Sequence, residues 1–273
     1  MAFQPSRSVA SRAHRAEGTL TVHRALPEEV PVAIVCNGST LAVMMATPAD
    51  IADFALGFVL SEGVIASLAE VERFEEVGHE AGIEARLWLR EDRAQQLAAR
   101  RRHMAGPVGC GLCGIDSLEA ANRALPVVAA PGLRLNRAEV ARATRMMEDL
   151  QPLHDLTHAT HAAGFLVPGQ GIVVAREDVG RHNALDKLIG ALAAQGIDPA
   201  HGAFVMTSRL SVELVQKCAL AGCAAMIAVS APTAHALRLA EAAGITLAAH
   251  ARGGAFDLYT HPHRITDEVP DVA

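Results

Sequence analysis

The chain has 273 residues, half of them apolar, and a formal net charge of −6 at pH 7. This length and composition can bury a large core, and the acidic balance gives no reason to expect nucleic acid or an anionic membrane as partner. No apolar run is long enough to cross a bilayer. Five cysteines with one close pair do not resemble a disulfide framework, so a reducing cytoplasm is expected.

The amino-terminal part predicts a short tail and then a small α+β subdomain. Residues 1–18 lack the apolar segment of a signal peptide, so we expect a disordered tail there. The subdomain is expected over residues 19–105. Asn37 and Gly38 lie between two apolar, β-branched runs, which is a strong signal for a β-hairpin.

A helix is predicted to follow the hairpin, over residues 47–60. Thr47 can cap its amino terminus, and the helix is expected to stop before Gly63. Two more strands near residues 74–77 and 83–89 and a polar helix over 93–103 complete this subdomain.

Cys110 and Cys113 lie in a glycine-rich stretch, residues 106–116, that has too little apolar periodicity to be a core element. We expect an exposed, mobile loop in which glycine leaves both sulfurs accessible. Arg101 and its arginine neighbours just upstream favour a thiolate over a thiol. The residues therefore predict a nucleophilic sulfur.

Three other interpretations of this cysteine pair remain open. It could be half of a zinc site completed by Cys36, Cys218 or Cys223, although the last two lie in apolar surroundings typical of core. It could be a thioredoxin-type dithiol, although the following helix begins late, near residue 116. It could also be an inert structural pair.

Residues 117–273 predict an α/β domain with a mostly parallel sheet and flanking helices. Helices are expected near residues 118–125 and 137–150, the second capped by Asn136. A hairpin over residues 161–175 is followed by alternating helices and strands up to residue 249.

Ligands of open α/β sheets bind beyond the carboxyl ends of the parallel strands. Three successive strands end there in Ser208, in Ser230, and in Arg252 with the glycines after it. Arginine and glycine suit phosphate, so a phosphorylated ligand is expected. In the alternative interpretation, the two serines are helix N-caps and the arginine is a solvated charge.

Residues 177–187 place acidic, basic and imidazole groups within two turns at a helix start. Asp178 and His182 could orient a ligand or move a proton, or they could be a cap and a packing residue. His158 and His161 have a spacing that allows a metal pair, although one partly buried and one exposed histidine is the simpler expectation.

Several motifs together resemble the formate dehydrogenase accessory sulfurtransferase family, FdhD. The resemblance runs from about residue 20 to the end of the chain. It is carried by residues 110–114, 160–163, 177–187, 215–217 and 228–232, and in the amino-terminal half by residues 37–38, 54–58 and 61–63.

The resemblance implies a sulfur carrier or sulfurtransferase. Such proteins accept sulfur from a cysteine desulfurase as a persulfide, here on Cys110, with Cys113 as a second, assisting cysteine. They pass it to the molybdenum or tungsten bis(guanine dinucleotide) cofactor of formate dehydrogenase, which is bound as a substrate. The segment implied for the guanine nucleotide portion is His250, Ala251, Arg252, Gly253, Gly254 and Ala255.

The resemblance also implies a cytidine deaminase-like carboxyl-terminal half, a homodimer, and apo-formate dehydrogenase as a partner. Ala255 replaces a basic residue of many relatives, which puts one cofactor contact in doubt. A zinc-dependent deaminase would need a His-x-Glu or Cys-x-Glu, which the sequence lacks. A non-catalytic chaperone that binds the cofactor remains the alternative function.

Overall fold

The computed structural model describes residues 3–95, 125–130 and 132–267. The hydrophobic side chains of these residues form two separate cores, one in the amino-terminal and one in the carboxyl-terminal half. The amino-terminal elements are β1 (Ser6–Arg15), β2 (Gly18–Pro27), β3 (Val30–Cys36), β4 (Ser39–Ala46), α1 (Ile51–Ser61), β5 (Val71–His79) and β6 (Gly82–Leu89).

The carboxyl-terminal half alternates strands and helices around a six-stranded sheet. The strands of this half, which include two short ones outside the six-stranded sheet, are β7 (Leu135–Asn136), β8 (His161–Val167), β9 (Gly171–Asp178), β10 (Ala203–Met206), β11 (Ala225–Ala228), β12 (Thr246–Arg252), β13 (Ala255–Thr260) and β14 (Ile265–Thr266). Its helices are α2 (Arg137–Glu148), α3 (Pro152–Thr157), α4 (Arg181–Ala194), α5 (Val212–Leu220) and α6 (Ala234–Ala242).

The amino-terminal core lies between α1 and a four-stranded sheet with the order β4-β3-β6-β5. The predicted hairpin is confirmed: Asn37 and Gly38 connect β3 and β4 with φ angles of 48° and 76°. Two successive positive φ angles are what a two-residue turn requires to match the twist of the strands. The predicted cap is wrong, because Asp50 is the N-cap residue of α1 and the Thr47 hydroxyl instead accepts a hydrogen bond from Val179 N in the carboxyl-terminal half.

The six-stranded sheet has the order β13-β12-β11-β10-β8-β9, and only β10, β11 and β12 run parallel to one another. The prediction of parallel strands is therefore correct for the centre of the sheet, and the hairpin predicted over residues 161–175 is confirmed at one edge as β8 and β9. The antiparallel strand β13 at the other edge is not predicted. Each edge strand belongs to a hairpin, and a tight turn can join only antiparallel strands. Gly253 and Gly254 form the turn that adds β13, which the sequence analysis interpreted as the end of the sheet.

Of two helices in the carboxyl-terminal half, α2 begins as predicted and α3 is new. Asn136 caps α2 as predicted, its side-chain oxygen accepting from Ala138 N at 2.8 Å. The six-residue α3 is not predicted, because it is too short to show helical periodicity. It ends where His158 takes a φ of 54°.

The predicted disordered tail is wrong over most of its length. β1 and β2 pair in an unbroken ten-residue register, from Ser6 with Pro27 to Arg15 with Gly18. The alternation that makes these residues strands is diluted by arginine and serine, and the turn between them has no asparagine–glycine signal. This two-stranded ribbon is a separate sheet.

Some predictions fall outside the described residues. They are the cysteine loop with Cys110 and Cys113, the helix over 118–125 apart from its last residue, and the part of the helix over 93–103 that lies beyond residue 95. In the part of the chain that the structure describes, no helix has the length and hydropathy that a membrane crossing needs.

Helices α1 and α4 join the two halves through a very close crossing at two glycines. A Cβ atom added at Gly57 would lie 1.7 Å from the carbonyl oxygen of Asp186, and one added at Gly190 would lie 1.9 Å from the carbonyl oxygen of Asp53. Both contacts are with backbone atoms, which cannot rotate away. Each glycine therefore permits an approach that no larger residue allows.

Replacing Gly57 with alanine should lower the free energy of unfolding by at least about 2 kcal/mol, because the helices must separate to admit one methyl group. Urea unfolding of Gly57→Ala and of the wild type measures this difference. Ala52→Ser, on the half-buried side of the same helix, is the control and should change stability by less than about 0.5 kcal/mol. Equal stability of Gly57→Ala and the wild type would contradict the close crossing.

Candidate functional site

A cavity of about 980 Å³ opens at the carboxyl edge of the parallel strands. Its floor is formed by residues that follow these strands, among them Thr207 after β10 and Val229 after β11. Arg252 and Gly253, at the β12–β13 turn, form one side, and α2 and α3 form the other. The cavity lies where the sheet topology places a ligand.

Most of the titratable side chains around the cavity are guanidinium or imidazole groups. Arg142 and Arg145, three residues apart and therefore on one face of α2, line it together with Arg252. Three histidines contribute as well, against the carboxylates of Glu148 and Asp155; the histidines are His154, His158 and His161. An excess of guanidinium groups favours an anionic ligand, and phosphate is the group that arginine binds best.

Glu177 holds the α3 wall of the cavity in place. Its carboxylate accepts hydrogen bonds from Leu153 N at 2.8 Å, from His154 N at 2.7 Å and from the Thr160 hydroxyl at 3.1 Å. The first two donors belong to the first turn of α3, whose amide groups lack partners within the helix. Glu177 therefore acts as the cap that the short helix does not supply itself.

His154 is oriented by a second contact of the same wall. Its Nδ1 lies 3.1 Å from the carbonyl oxygen of Thr160. A carbonyl oxygen can only accept, so Nδ1 carries a proton. In the neutral ring Nε2 is then an acceptor on the cavity side of the helix.

The opposite wall is fixed to α2 by Thr144, whose hydroxyl donates to the carbonyl oxygen of Ala251 at 2.5 Å. His250, one residue earlier, has a φ of 52°, which non-glycine residues rarely adopt. Its amide donates to Ser230 O at 3.4 Å. The backbone from residue 250 to the turn is thus held by both neighbouring elements.

Beyond His161, a second polar group lies at the start of α4. His182 Nε2 is 3.4 Å from the Ser211 hydroxyl and 3.8 Å from the Glu213 carboxylate. Burial, and then the nearby Arg181, lower the pKa of His182 to about 4. The same two causes lower the pKa of His161. Both rings are therefore neutral near pH 7, and the fixed positive charge between them belongs to Arg181.

Asp178 and Lys187, the second and last residues of the 177–187 motif, form a fully buried ion pair at 2.8 Å. Asp178 also accepts from Thr47 N at 3.0 Å and Asn183 Nδ2 at 2.9 Å. Lys187 donates in turn to the carbonyl oxygen of Thr47 at 3.0 Å. The motif thus binds the linker between β4 and α1, which belongs to the amino-terminal half.

A second buried cluster joins α1, α4 and α5. Lys217 Nζ lies 2.9 Å from Asp186, 2.7 Å from Glu62 and 2.9 Å from the Ser61 hydroxyl, which donates to Asp186 at 2.6 Å. Burial raises the pKa of Asp186 to about 6 against the opposing effect of Lys217. The neighbouring carboxylates raise the pKa of Lys217 despite its burial. Lys217 therefore stays charged and bridges both halves.

The serines singled out from the sequence do not have the N-cap role that was weighed for them. Ser208 is buried and donates to the carbonyl oxygen of Arg209. The N-caps of α5 and α6 are Ser211 and Thr233, so Ser208 and Ser230 cap neither helix. In the 250–255 segment, Ala251 is buried, Arg252 and the two glycines line the cavity, and Ala255 begins β13 on the exposed surface.

The three described cysteines that were considered for a zinc site do not form one group. Cys36 is buried in the amino-terminal core, whereas Cys218 and Cys223 are buried in the other one. Burial raises the pKa of the Cys218 thiol, which makes this sulfur a poor nucleophile. Over residues 3–95, 125–130 and 132–267, no three histidine, cysteine or acidic side chains form a metal-binding group.

Sequence reasoning missed Glu177, Arg142 and Arg145 as parts of this site. The two arginines were hidden in an amphipathic helix, where charges three residues apart are usually solvated. The polar face of this helix was visible in the sequence. Only the topology of the sheet shows that this face lies at the strand ends. Glu177 stood inside the motif, but its partners in α3 belong to a helix that was not predicted.

Comparison with known proteins identifies clear relatives. The model of the FdhD/NarQ family matches residues 27–266. A protein of Agrobacterium fabrum named sulfur carrier protein FdhD is 49% identical over 95% of this chain and 96% of its own length. The protein of the same name from Brucella abortus is 49% identical over 96% and 97%.

A solved structure supports the fold. The crystal structure of a protein from Desulfotalea psychrophila, described as a formate dehydrogenase accessory protein, superposes with a TM-score of 0.76 and 25% identity. The match covers 96% of this chain and all of that one.

The lowered pKa of His182 predicts a loss of stability in acid. An unfolded histidine binds a proton near pH 6.5, whereas His182 in the folded chain binds one only near pH 4. Stability therefore falls as the pH drops through this interval. His182→Gln should reduce that fall by on the order of 1–2 kcal/mol, because one pKa unit corresponds to about 1.4 kcal/mol and solvent screens part of the shift.

Urea unfolding at pH 7 and pH 4.5 measures the effect. His201→Gln, at a histidine whose side chain is 78% exposed, is the control and should keep the wild-type pH dependence. If His182→Gln and the wild type lose the same stability between the two pH values, His182 is not the buried neutral group described above.

Proposed function

The chain belongs to the FdhD/NarQ family, and we propose that it is a sulfur carrier for the maturation of formate dehydrogenase. The observation that carries this proposal is the match over nearly the whole chain to relatives named sulfur carrier proteins. The cationic cavity at the sheet edge supports it, because a phosphate-bearing cargo needs such a site.

The proposed donor is a cysteine desulfurase that holds sulfur as a persulfide. The Cys110 thiolate attacks the outer sulfur of that persulfide, a new sulfur–sulfur bond forms on Cys110, and the desulfurase cysteine leaves as a thiolate. Thiolates are the attacking species in such exchanges, and the upstream arginines favour the thiolate form. The chain is in this sense a persulfide-forming sulfurtransferase.

Release of the sulfur requires two electrons, which Cys113 can supply. Its thiolate attacks the inner sulfur of the persulfide, so that a Cys110–Cys113 disulfide forms and the outer sulfur leaves as sulfide. A cellular dithiol then reduces the disulfide and restores both thiols. The acceptor in this proposal is the molybdenum or tungsten bis(guanine dinucleotide) cofactor, before it enters apo-formate dehydrogenase.

The cavity is the proposed site for one guanine nucleotide end of that cargo. Its volume of about 980 Å³ is in the range of pockets that enclose one ligand of drug size, so the metal-bearing end would extend outside. Arg142, Arg145 and Arg252 suit the diphosphate, and Gly253 and Gly254 leave the turn without side chains that would block it. Ala255 contributes no charge, so the cation that many relatives have there is missing.

We place this activity in the cytoplasm, as the cysteine content favours, and in a homodimer, as the family resemblance implies. The similarity of the carboxyl-terminal half to the cytidine deaminase fold stays a prediction. The alternative function is a chaperone that binds the cofactor or the apo-enzyme without transferring sulfur. It would use the same cavity and would not need a reactive cysteine.

Incubation with a cysteine desulfurase and cysteine should add one sulfur atom to the peptide that contains Cys110. Peptide mass spectrometry with and without a thiol reductant detects this reductant-sensitive gain. Cys110→Ser should abolish it and should also abolish formate dehydrogenase activation. Cys36→Ser, at a buried cysteine, is the control and should keep the sulfur. If Cys110→Ser still activates formate dehydrogenase, the chaperone function replaces the carrier function.

Arg145→Ala should weaken binding of guanosine diphosphate about tenfold or more, because a charge-assisted hydrogen bond contributes about 1.5–3 kcal/mol. Isothermal titration calorimetry measures the dissociation constant. Arg137→Ala removes an arginine from the same helix that pairs with Asp267 on the surface, so it should bind as the wild type does. Equal loss in both variants would indicate general electrostatics instead of a site.

A further inference from the structure

The β1–β2 ribbon has an apolar face that the described chain leaves largely uncovered. In the observed register, one side carries the apolar residues Val9, Ala13, Leu20, Val22 and Leu26 together with Ser11, Gly18 and three arginines, Arg7, Arg15 and Arg24. Threonine, serine and histidine dominate the other side, which includes Ser8, His14, Thr19, Thr21 and His23. One side of the ribbon thus carries its large apolar side chains next to three arginines, so a surface that covers it must offer both apolar contact and negative charge.

The exposure of this face is measurable. Val9 is 37% exposed, Leu20 43% and Leu26 47%. The ribbon forms its own sheet, and α3 is the helix that packs beside β2. Leu156, on α3, is 56% exposed and adds to the uncovered apolar surface.

Such a ribbon needs a permanent partner. Two strands alone are marginally stable in water, and a regular ten-residue pairing with an open apolar face requires cover. A transient partner would leave the face in water for most of the life of the protein. A second copy of the same chain is present whenever the protein is, so it meets this requirement best.

Charge also favours a second copy. Residues 3–27 contain four arginines and one glutamate, although the whole chain has a net charge of −6. Residues 70–92, which form the β5–β6 hairpin and its flanks, contain eight carboxylates and three arginines. One chain therefore carries a basic ribbon and an acidic hairpin. In a dimer, the basic ribbon of each copy can lie against the acidic hairpin of the other.

The outer face of the four-stranded sheet is the surface that fits the ribbon. Val43 and Met45 are 36% and 41% exposed on β4. They share that face, turned away from α1, with Glu84 on β6. Packing ribbon against ribbon would instead bring Arg7, Arg24 and their copies together on the contact face.

We propose that the apolar face of the β1–β2 ribbon packs against a second copy of the chain, on the outer face of that copy's four-stranded sheet. The proposal deepens the proposed homodimer by assigning its contact surface. Because α3 packs beside the ribbon and lines the cavity, this dimer contact also supports the cavity wall.

Leu20→Glu and Thr21→Glu test this assignment, because the two neighbouring residues project to opposite faces of the same exposed strand. Light scattering after size-exclusion chromatography, over a range of protein concentrations, measures the dimer dissociation constant. Leu20→Glu should raise it at least tenfold, since it places a carboxylate in an apolar contact. Thr21→Glu should stay close to the wild type. Leu26→Glu is a second variant of the contact face and should behave as Leu20→Glu does.

A wild type that is monomeric at micromolar concentration would overturn the proposal, and so would equal effects of Leu20→Glu and Thr21→Glu. If the wild type is monomeric and Leu20→Glu instead loses binding to purified apo-formate dehydrogenase, the ribbon docks the enzyme and not a second copy. Persulfide formation on Cys110, measured in the same variants, separates this outcome from a failure of the sulfur-carrier function. A folded Leu20→Glu variant should still accept sulfur.

Discussion

The buried ion pair between Asp178 and Lys187 is the contact on which the arrangement of the two halves depends. Both side chains are fully buried, and each makes a hydrogen bond to Thr47 in addition to the ion pair. A charge buried in this way is stable only while its partner is present, and loss of one member of such a pair costs about 3–5 kcal/mol. Because Thr47 supplies both a donor and an acceptor to the pair, moving the amino-terminal half away would remove one hydrogen bond from each of the two buried charges.

The 177–187 motif therefore connects three parts of the molecule through neighbouring residues. Glu177 bonds the first turn of α3 and so fixes the cavity wall. Asp178 and Lys187 bond the linker before α1, and Asp186 reaches Ser61 and Lys217. So many charged and imidazole groups within eleven residues suggest a catalytic site in a sequence. In the structure, most of these side chains hold parts of the fold together. The residues that remain for chemistry are Arg181 and His182, at the amino end of α4.

Local patterns in the sequence predict the elements whose cause is local. The asparagine–glycine hairpin, the Asn136 cap and the strand–helix alternation of the carboxyl-terminal half all follow from a few neighbouring residues, and the structure has each of them. The carboxyl edge of the sheet could also be placed, because topology alone determines it. The α3 helix, β13 and the contact of Asp178 with Thr47 could not be predicted. The α3 helix is too short to show helical periodicity, and β13 depends on a glycine turn that resembled the end of a strand. Thr47 lies 131 residues before Asp178 in the chain.

The same distinction separates the cavity from the proposed reactive thiol. Arg142, Arg145 and Arg252 come from two elements more than 100 residues apart, and Thr144 fixes those elements to each other through Ala251. A site made in this way is held by packing and can select a cargo by shape and charge. A sulfur-carrying cysteine must instead meet a donor protein and then an acceptor, so its chemistry depends on access and on thiolate character. Neighbouring glycines favour access and neighbouring arginines favour the thiolate, and both are visible in the sequence. The fold therefore explains how a cargo could be held, and the local sequence around Cys110 explains how sulfur could reach it.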